Sequence, residues 1–452
     1  MVKNIPINSP YLKNIPIAPA IVSILQSAFG RVEPCSAVQN AVKVSDDSMN
    51  ILGHHVPIQK NGRLMVLGLG KAAQTMAIGL KSALPERICA GAVITKHSLK
   101  ELEMQLLPEI LSYEGDHPVP TEKSVSAARC AIRRIGKLTS EDILISLISG
   151  GGSALAVLPR PGITLAEYQV MTKLLLGCGA SVQEINAIRK QVDLIKGGEL
   201  LNTFSPASAI SLILSDVVGD PLDVIASGPT VFSGQTRQDA RNVIAKYHLQ
   251  SKIPASIRLL LESEPEKGRE KADEQRDGRY ILNVLVGNSS IAADAVKETA
   301  QNYGFRAQVV STTLQGEARE VGARLGKELK DEVQGKNRKS CRIFGGETTV
   351  TIHGNGKGGR NQELVLSAAQ EIAGIEGGCI LSIATDGEDG PTDAAGAIAD
   401  GKTAMVGAGM GLDLRKNLEN NDAYSYFDAV GGLVKTGPSG TNVNDLVVLF
   451  TY

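Results

Sequence analysis

The sequence predicts an α/β fold in two domains, on three observations. Short apolar runs alternate with stretches of helical spacing along most of the 452 residues, the pattern of strands and helices laid down in turn. The chain exceeds what one ordinary hydrophobic core holds. A charged stretch, Ser263–Arg279, carries no large apolar residue, and a new series of apolar runs begins directly after it. Such a stretch buries too little surface to order itself. It is read as a linker or surface loop (residues 263–279) between a domain at 18–262 and a second at 280–452.

The elements follow in order. Leu64–Leu67, Ala92–Thr95, Ile143–Ile148 and Ile210–Leu214 read as strands of the first series. Leu282–Val286, Ala307–Val310, Arg342–Phe344, Thr348–Ile352, Ile380–Ala384 and Leu446–Phe450 form the second. Unbroken apolar runs belong to strands buried on both faces, so largely parallel sheets are expected. Thr348–Ile352 follows its predecessor so closely that a hairpin is expected there. Helical spacing marks Thr121–Leu138, Leu165–Leu176 and Asn361–Ile372.

Composition narrows the function. Net charge is −1, which implies no polyanionic partner and argues against nucleic acid. The six cysteines contain no CxxC pair, which fits a reducing, cytoplasmic setting and gives no metal-ligand spacing. The first twenty residues lack a long apolar run and are interrupted by prolines, and no membrane-length apolar stretch occurs elsewhere. Monomer and homodimer both remain open.

Glycine clusters at strand ends carry the chemistry. Leu64–Leu67 runs into Gly68-Leu69-Gly70-Lys71 and then a helix-forming run. A cation at the positive end of a helix dipole points to an anion that meets it. After Ile143–Ile148 comes Ser149-Gly150-Gly151-Gly152-Ser153, whose bare backbone N–H groups and hydroxyls make an anion cradle. Gly358-Gly359-Arg360 opens a further helix, and arginine grips phosphate or carboxylate by paired bonds. Neither of the first two clusters is a P-loop.

Acids stand at strand ends in both halves. Asp216 follows Ile210–Leu214, Glu347 follows the glycines after Arg342–Phe344, and Asp386 follows Ile380–Ala384. Mg²⁺ takes one or two carboxylates together with phosphate and water. Among the histidines only His117, in a rigid Gly-Asp-His-Pro turn, is a candidate substrate contact. Cations, a cradle and strand-end carboxylates are the equipment of phosphoryl transfer.

These motifs together resemble class II glycerate 2-kinase. The resemblance rests on GLGKAA at Gly68, GDHPVP at Gly115, ISGGGSAL at Ile148, SDVVGDPLDVIASGPT at Ser215, GGETTV at Gly345, GGRNQE at Gly358 and TDGEDGPTDAAG at Thr385. It implies a larger Rossmann-like N-terminal domain, a smaller C-terminal MOFRL domain and an active-site cleft between them. It also implies ATP, D-glycerate and a divalent cation. By this resemblance Lys71 and Arg360 are the essential cations. Gly68, Gly70, Ser149, Gly150, Gly151, Gly152, Ser153, Gly358 and Gly359 bind substrate or phosphate. Asp216, Glu347 and Asp386 match acidic positions facing the cleft; some of them are expected to hold the metal, with Asp216 alternatively the catalytic base. The product is 2-phosphoglycerate, with 3-phosphoglycerate as the variant. Two rivals stay open: an NAD(P)H-dependent hydroxypyruvate reductase, disfavoured because no acid ends the second strand at Thr95-Lys96, and a non-catalytic ligand sensor.

Overall fold

The structure, a computed structural model, describes residues 5–98, 105–204, 208–263, 280–335 and 339–452. The chain divides into two units. The first contains Pro34–Ser215 and Asp220–Val286; the second contains residues 5–33, Asp216–Gly219 and Gly287–Tyr452.

Six strands form the main sheet of the first unit, in the order Ile110–Glu114, Ile88–Thr95, Leu64–Leu69, Ile143–Ile148, Ser208–Leu214 and Ile281–Gly287. The first five pair in parallel. Leu64–Leu69 and Ile143–Ile148 are buried at every position, which is why they read as unbroken apolar runs. Numbered along the chain, the strands lie as 3-2-1-4-5-6, the doubly wound order expected of a Rossmann-like domain. Its direction reverses between the first and fourth strands, and in sheets of this order ligands bind beyond the carboxyl ends of the strands at that point. Helix Glu122–Ile135 packs its Ala127, Ala128, Ala131 and Ile135 against Met65, Leu67 and Ile94. Capping boxes at Thr121 and Thr164 start that helix and Leu165–Gly177.

A small antiparallel sheet, Val42–Val44, Ser48–Ile51 and His54–Pro57, precedes the main one. His54 and His55, which read as part of a polar segment, are exposed residues of its last strand.

The second unit is also a six-stranded sheet with helices, in the order Arg306–Leu314, Ser340–Gly346, Asp445–Thr451, Gly378–Ala384, Gly396–Asp400 and Leu433–Val434. Here the expectation of largely parallel strands is corrected. Arg306–Leu314 and Ser340–Gly346 pair in parallel, and the other pairs are antiparallel. A strand buried on both faces has the same apolar signature in either direction, so the sequence pattern does not separate the two cases. The expected hairpin at Thr348–Ile352 is absent as well. Thr349 makes an isolated bridge to Glu317, and Ile352 is exposed.

Helices Ala318–Gln334 and Arg360–Glu371 lie side by side on this sheet. Gly322 and Gly326 permit the approach, since a Cβ at either would strike the backbone at Leu364 or Ala368. Helix Ala18–Arg31 packs on Ser289–Asn302, with Arg31 and Glu298 paired at 2.6 Å. Ahead of it, Asn8 bridges Lys435 and the Tyr11 hydroxyl donates to Asp400 at 2.6 Å.

Both ends of the division read from sequence therefore move. Residues 18–33 sit with the second unit, and strand Ile281–Gly287 completes the sheet of the first. Local composition does not encode a partner some hundreds of residues away. Residues 264–279, most of the expected linker, lie outside the described residues. Among the described residues no helix is long and apolar enough to cross a membrane.

Candidate active site

In the first unit the two glycine turns leave adjacent parallel strands at the point where strand order reverses. Leu69 pairs with Ile94 on one side and Ile148 on the other, so Gly70 and Ser149 follow at the same level. The turns are bonded to each other. The Ser149 N–H donates to the Leu69 carbonyl at 3.0 Å, and the Lys71 N–H donates to the Gly150 carbonyl at 3.0 Å. The Ser149 hydroxyl accepts the Ala72 N–H at 3.1 Å. Gly70 has φ +134, and a Cβ there would strike the Ser149 hydroxyl and carbonyl, so only glycine fits.

Lys71 is exposed and lies over the second turn. A Cβ placed on Gly151, φ +85, would stand 3.2 Å from Lys71 Cε and 3.3 Å from His117 Cδ2. Burial, with the charges of Lys71 and Lys96, holds the His117 imidazole below its usual pKa, so it stays neutral beside the cation. Among the described residues no acceptor meets the N–H of Gly150 or Gly151. Helix Ala73–Ala83, just beyond, has no side-chain cap. Lys71 stands just ahead of this helix, whose N-cap is Ala72.

Ser153 is engaged within the protein. Its hydroxyl lies 2.8 Å from that of Ser227, which donates to Asn186 at 2.9 Å. Asp223, in the acidic segment after the fifth strand, pairs with Lys190 at 2.9 Å.

In the second unit a constellation gathers where three strands end or begin together. Asp445 starts its strand, in register with Gly346 on one neighbour and Ala384 on the other. Glu347 comes directly after Gly346, and Asp386 two residues after Ala384. Arg360 is the first residue of its helix and donates Nε to Asp445 Oδ2 at 2.5 Å and Nη2 to Oδ1 at 2.9 Å. Its Nη1 meets Glu347 Oε1 at 3.0 Å. Burial works against the guanidinium charge, but Asp445, Glu347 and Asp389 outweigh it and fix the side chain as a cation. Burial pushes the Asp445 carboxyl up, against the pull of Arg360.

Asp389 closes the helix start. It accepts from the N–H of Asn361 at 3.1 Å and of Gln362 at 2.9 Å, and from both their side-chain amides. Burial pushes its pKa up to about 6 against these donors. A Cβ at Gly359 would strike this carboxylate. The amides at this helix start thus serve an internal anion, which bears on the phosphate-binding expectation at Gly358 and Gly359.

Asp386 is half-buried, and its Oδ1 accepts the Glu388 N–H at 3.0 Å. Asp216 clusters with the second unit. Among the described residues no three His, Cys, Asp or Glu side chains gather around a metal position. The sequence reading missed Asp445 and the capping role of Asp389. It looked for acids after strands, and Asp445 precedes one.

Residues 20–262 match a family described as a domain of unknown function (DUF4147), and residues 340–445 match the MOFRL family. A glycerate 2-kinase of Pyrococcus horikoshii is 41% identical over 431 residues, 94% of this chain and 95% of that protein. A D-glycerate 2-kinase of Thermotoga maritima is 41% identical over 392 residues, 85% of this chain and 90% of its own. The crystal structure of a glycerate kinase from Thermotoga maritima matches with a TM-score of 0.84 at 38% identity, covering 96% of this chain and 99% of that one. Motifs, fold and near full-length similarity agree, and the chain belongs to the glycerate 2-kinase family.

Proposed function

We propose that this protein transfers the γ-phosphoryl group of ATP to the 2-hydroxyl of D-glycerate, giving 2-phosphoglycerate and ADP. One observation carries the reading: Lys71 lies across Gly151, over the serine-glycine turn at the reversal point of the first sheet. A cation above bare amide N–H groups suits a small carboxylate or phosphate. In this reading the Gly150 and Gly151 amides take the glycerate carboxylate. Lys71 neutralises charge that builds on the transferring group, and Arg360 is the second candidate cation for that charge. His117 adds no competing charge in its neutral form and in this reading exchanges a hydrogen bond with the substrate.

Mg²⁺ belongs to the proposal. The half-buried Asp386 and the partly exposed Glu347 offer hard carboxylate oxygens, and Mg²⁺ needs only one or two of these beside phosphate and water. When bound it spreads the charge of the triphosphate. Asp216 is kept as the candidate base for the C2 hydroxyl.

The test is ADP release from purified protein with ATP and D-glycerate, followed by phosphorus NMR of the product. A 2-phosphoglycerate signal supports the proposal, and a 3-phosphoglycerate signal moves the acceptor to the other hydroxyl. Absence of ADP release, with NADH oxidised by hydroxypyruvate instead, would replace the kinase by the reductase.

A further inference from the structure

Arg360 is held in two unlike ways. Asp445 takes its Nε and Nη2 in two parallel bonds at 2.5 and 2.9 Å, with a side chain only 5% exposed. That carboxylate sits at the start of a strand fixed on both sides, facing Gly346 and Ala384. The helix that carries Arg360 is anchored in turn by Asp389. The third arm, Nη1, meets Glu347 at 3.0 Å, and that side chain is 43% exposed. Its backbone is pinned through an N–H to the Leu314 carbonyl at 2.9 Å, so only the side chain is left to move.

A buried two-point clamp sets direction, whereas a half-solvated single contact is worth little and exchanges readily. A carboxylate oxygen and a phosphoryl oxygen make the same kind of charge-assisted bond with a guanidinium arm, so one can replace the other. We propose that Asp445 is a positioning residue that aims Arg360, and that Glu347 is a placeholder on the remaining arm, displaced when the phosphoryl group arrives. The inference rests on the kinase reading for the identity of that group, but its geometry concerns any polyphosphate.

The experiment uses the full-length protein, with inorganic tripolyphosphate as the probe in metal-free buffer, read by calorimetry, beside initial-rate kinetics. Glu347→Gln removes the competing charge and is expected to tighten tripolyphosphate about threefold, the size of an exposed ion pair. Asp445→Asn is expected to weaken it and to lower kcat at least tenfold, roughly the worth of a charge-assisted bond, with KM for glycerate little changed. Unchanged or weaker binding by Glu347→Gln overturns the placeholder, and wild-type kcat in Asp445→Asn overturns the clamp.

Should Asp445→Asn fail to fold, Arg360→Lys asks the same question, because lysine keeps the charge and cannot take two parallel bonds. The clamp requires kcat to fall nearly as far as in Arg360→Ala; a lysine as active as arginine refutes it. If the binding effects appear in a protein that does not phosphorylate glycerate, the kinase reading fails and the clamp stands. If glycerate is turned over and the variants match wild type, the clamp fails alone.

Discussion

Ser149 and Ala72 are joined by a hydrogen bond: the serine hydroxyl accepts the alanine N–H at 3.1 Å and ties the two glycine turns of the first sheet into one rigid unit. Gly70 and Gly151 occupy left-handed or strained backbone within that unit but meet different neighbours. At Gly70 a Cβ strikes fixed backbone. Gly70→Ala is expected to cost about 3 kcal/mol from strain and overlap together. At Gly151 it meets the flexible Lys71 and the edge of His117, so Gly151→Ala costs only about 1 kcal/mol. Activity should nonetheless fall, because Lys71 is pushed aside. Urea midpoints set against ADP release separate the two cases, and a Gly151→Ala enzyme with wild-type turnover contradicts the placement of Lys71.

Lys71 itself is exposed, and exposed substitutions away from special features change stability by about 0.5 kcal/mol or less. Lys71→Ala is expected to unfold at the wild-type urea concentration while losing roughly a hundredfold or more in turnover, the scale of a removed charge stabiliser. Full activity in this variant would refute the role given to the lysine.

Acid stability depends on Asp142. Its buried carboxylate accepts from the N–H, Nε and Nη2 of Arg63 and from the Thr139 N–H. Burial alone would raise its pKa, but these bonds outweigh burial and hold it well below the carboxylate range. A depressed folded value stabilises fully above about pH 4, where the unfolded carboxyl is ionised, and that contribution disappears as pH falls through the folded value. Asp142→Asn should cost about 2 to 4 kcal/mol near neutrality. The gap should narrow toward pH 2, as followed by chemical denaturation at each pH. A constant gap sinks the idea.

Asp389 has the opposite sign. Its folded value is raised to about 6 by burial, against four N–H donors. The folded protein therefore keeps a proton that the unfolded chain releases near pH 4. This group's contribution is present below about pH 4 and is lost as pH rises through 6, a change of about 3 kcal/mol. Relative to Asp389→Asn, wild type should lose stability across that interval. A pH-independent difference between the two would show that the carboxyl does not titrate there.

Legibility in the sequence followed the direction of the strands. Ile143–Ile148 appears within its observed bounds, and Lys71 and Arg360 stand beside the glycine turns that marked them. In the first unit strands run parallel, so chemistry gathers after their carboxyl ends and glycine clusters reveal it. In the second unit Asp445–Thr451 runs antiparallel between its neighbours. The start of one strand then shares an edge with the ends of two others, and an acid before an apolar run looks like ordinary punctuation. Edge strand Ile110–Glu114 was missed for another reason. Its partly exposed residues break the apolar run that betrays a central strand. The strand Gly396–Asp400 is small-residue rich and fully buried, and it gave no turn signal of its own.

The opening residues of the chain pair with Gly431, Lys435 and Asp400, all close to its end. A ribosome therefore exports this segment long before its partners exist. The main sheet of the first unit needs nothing later than Gly287 and is free to assemble during translation, while the leading segment waits. A MOFRL fragment expressed by itself from residue 340 would lack Tyr11, whose hydroxyl donates to Asp400, and the bridge from Asn8 to Lys435.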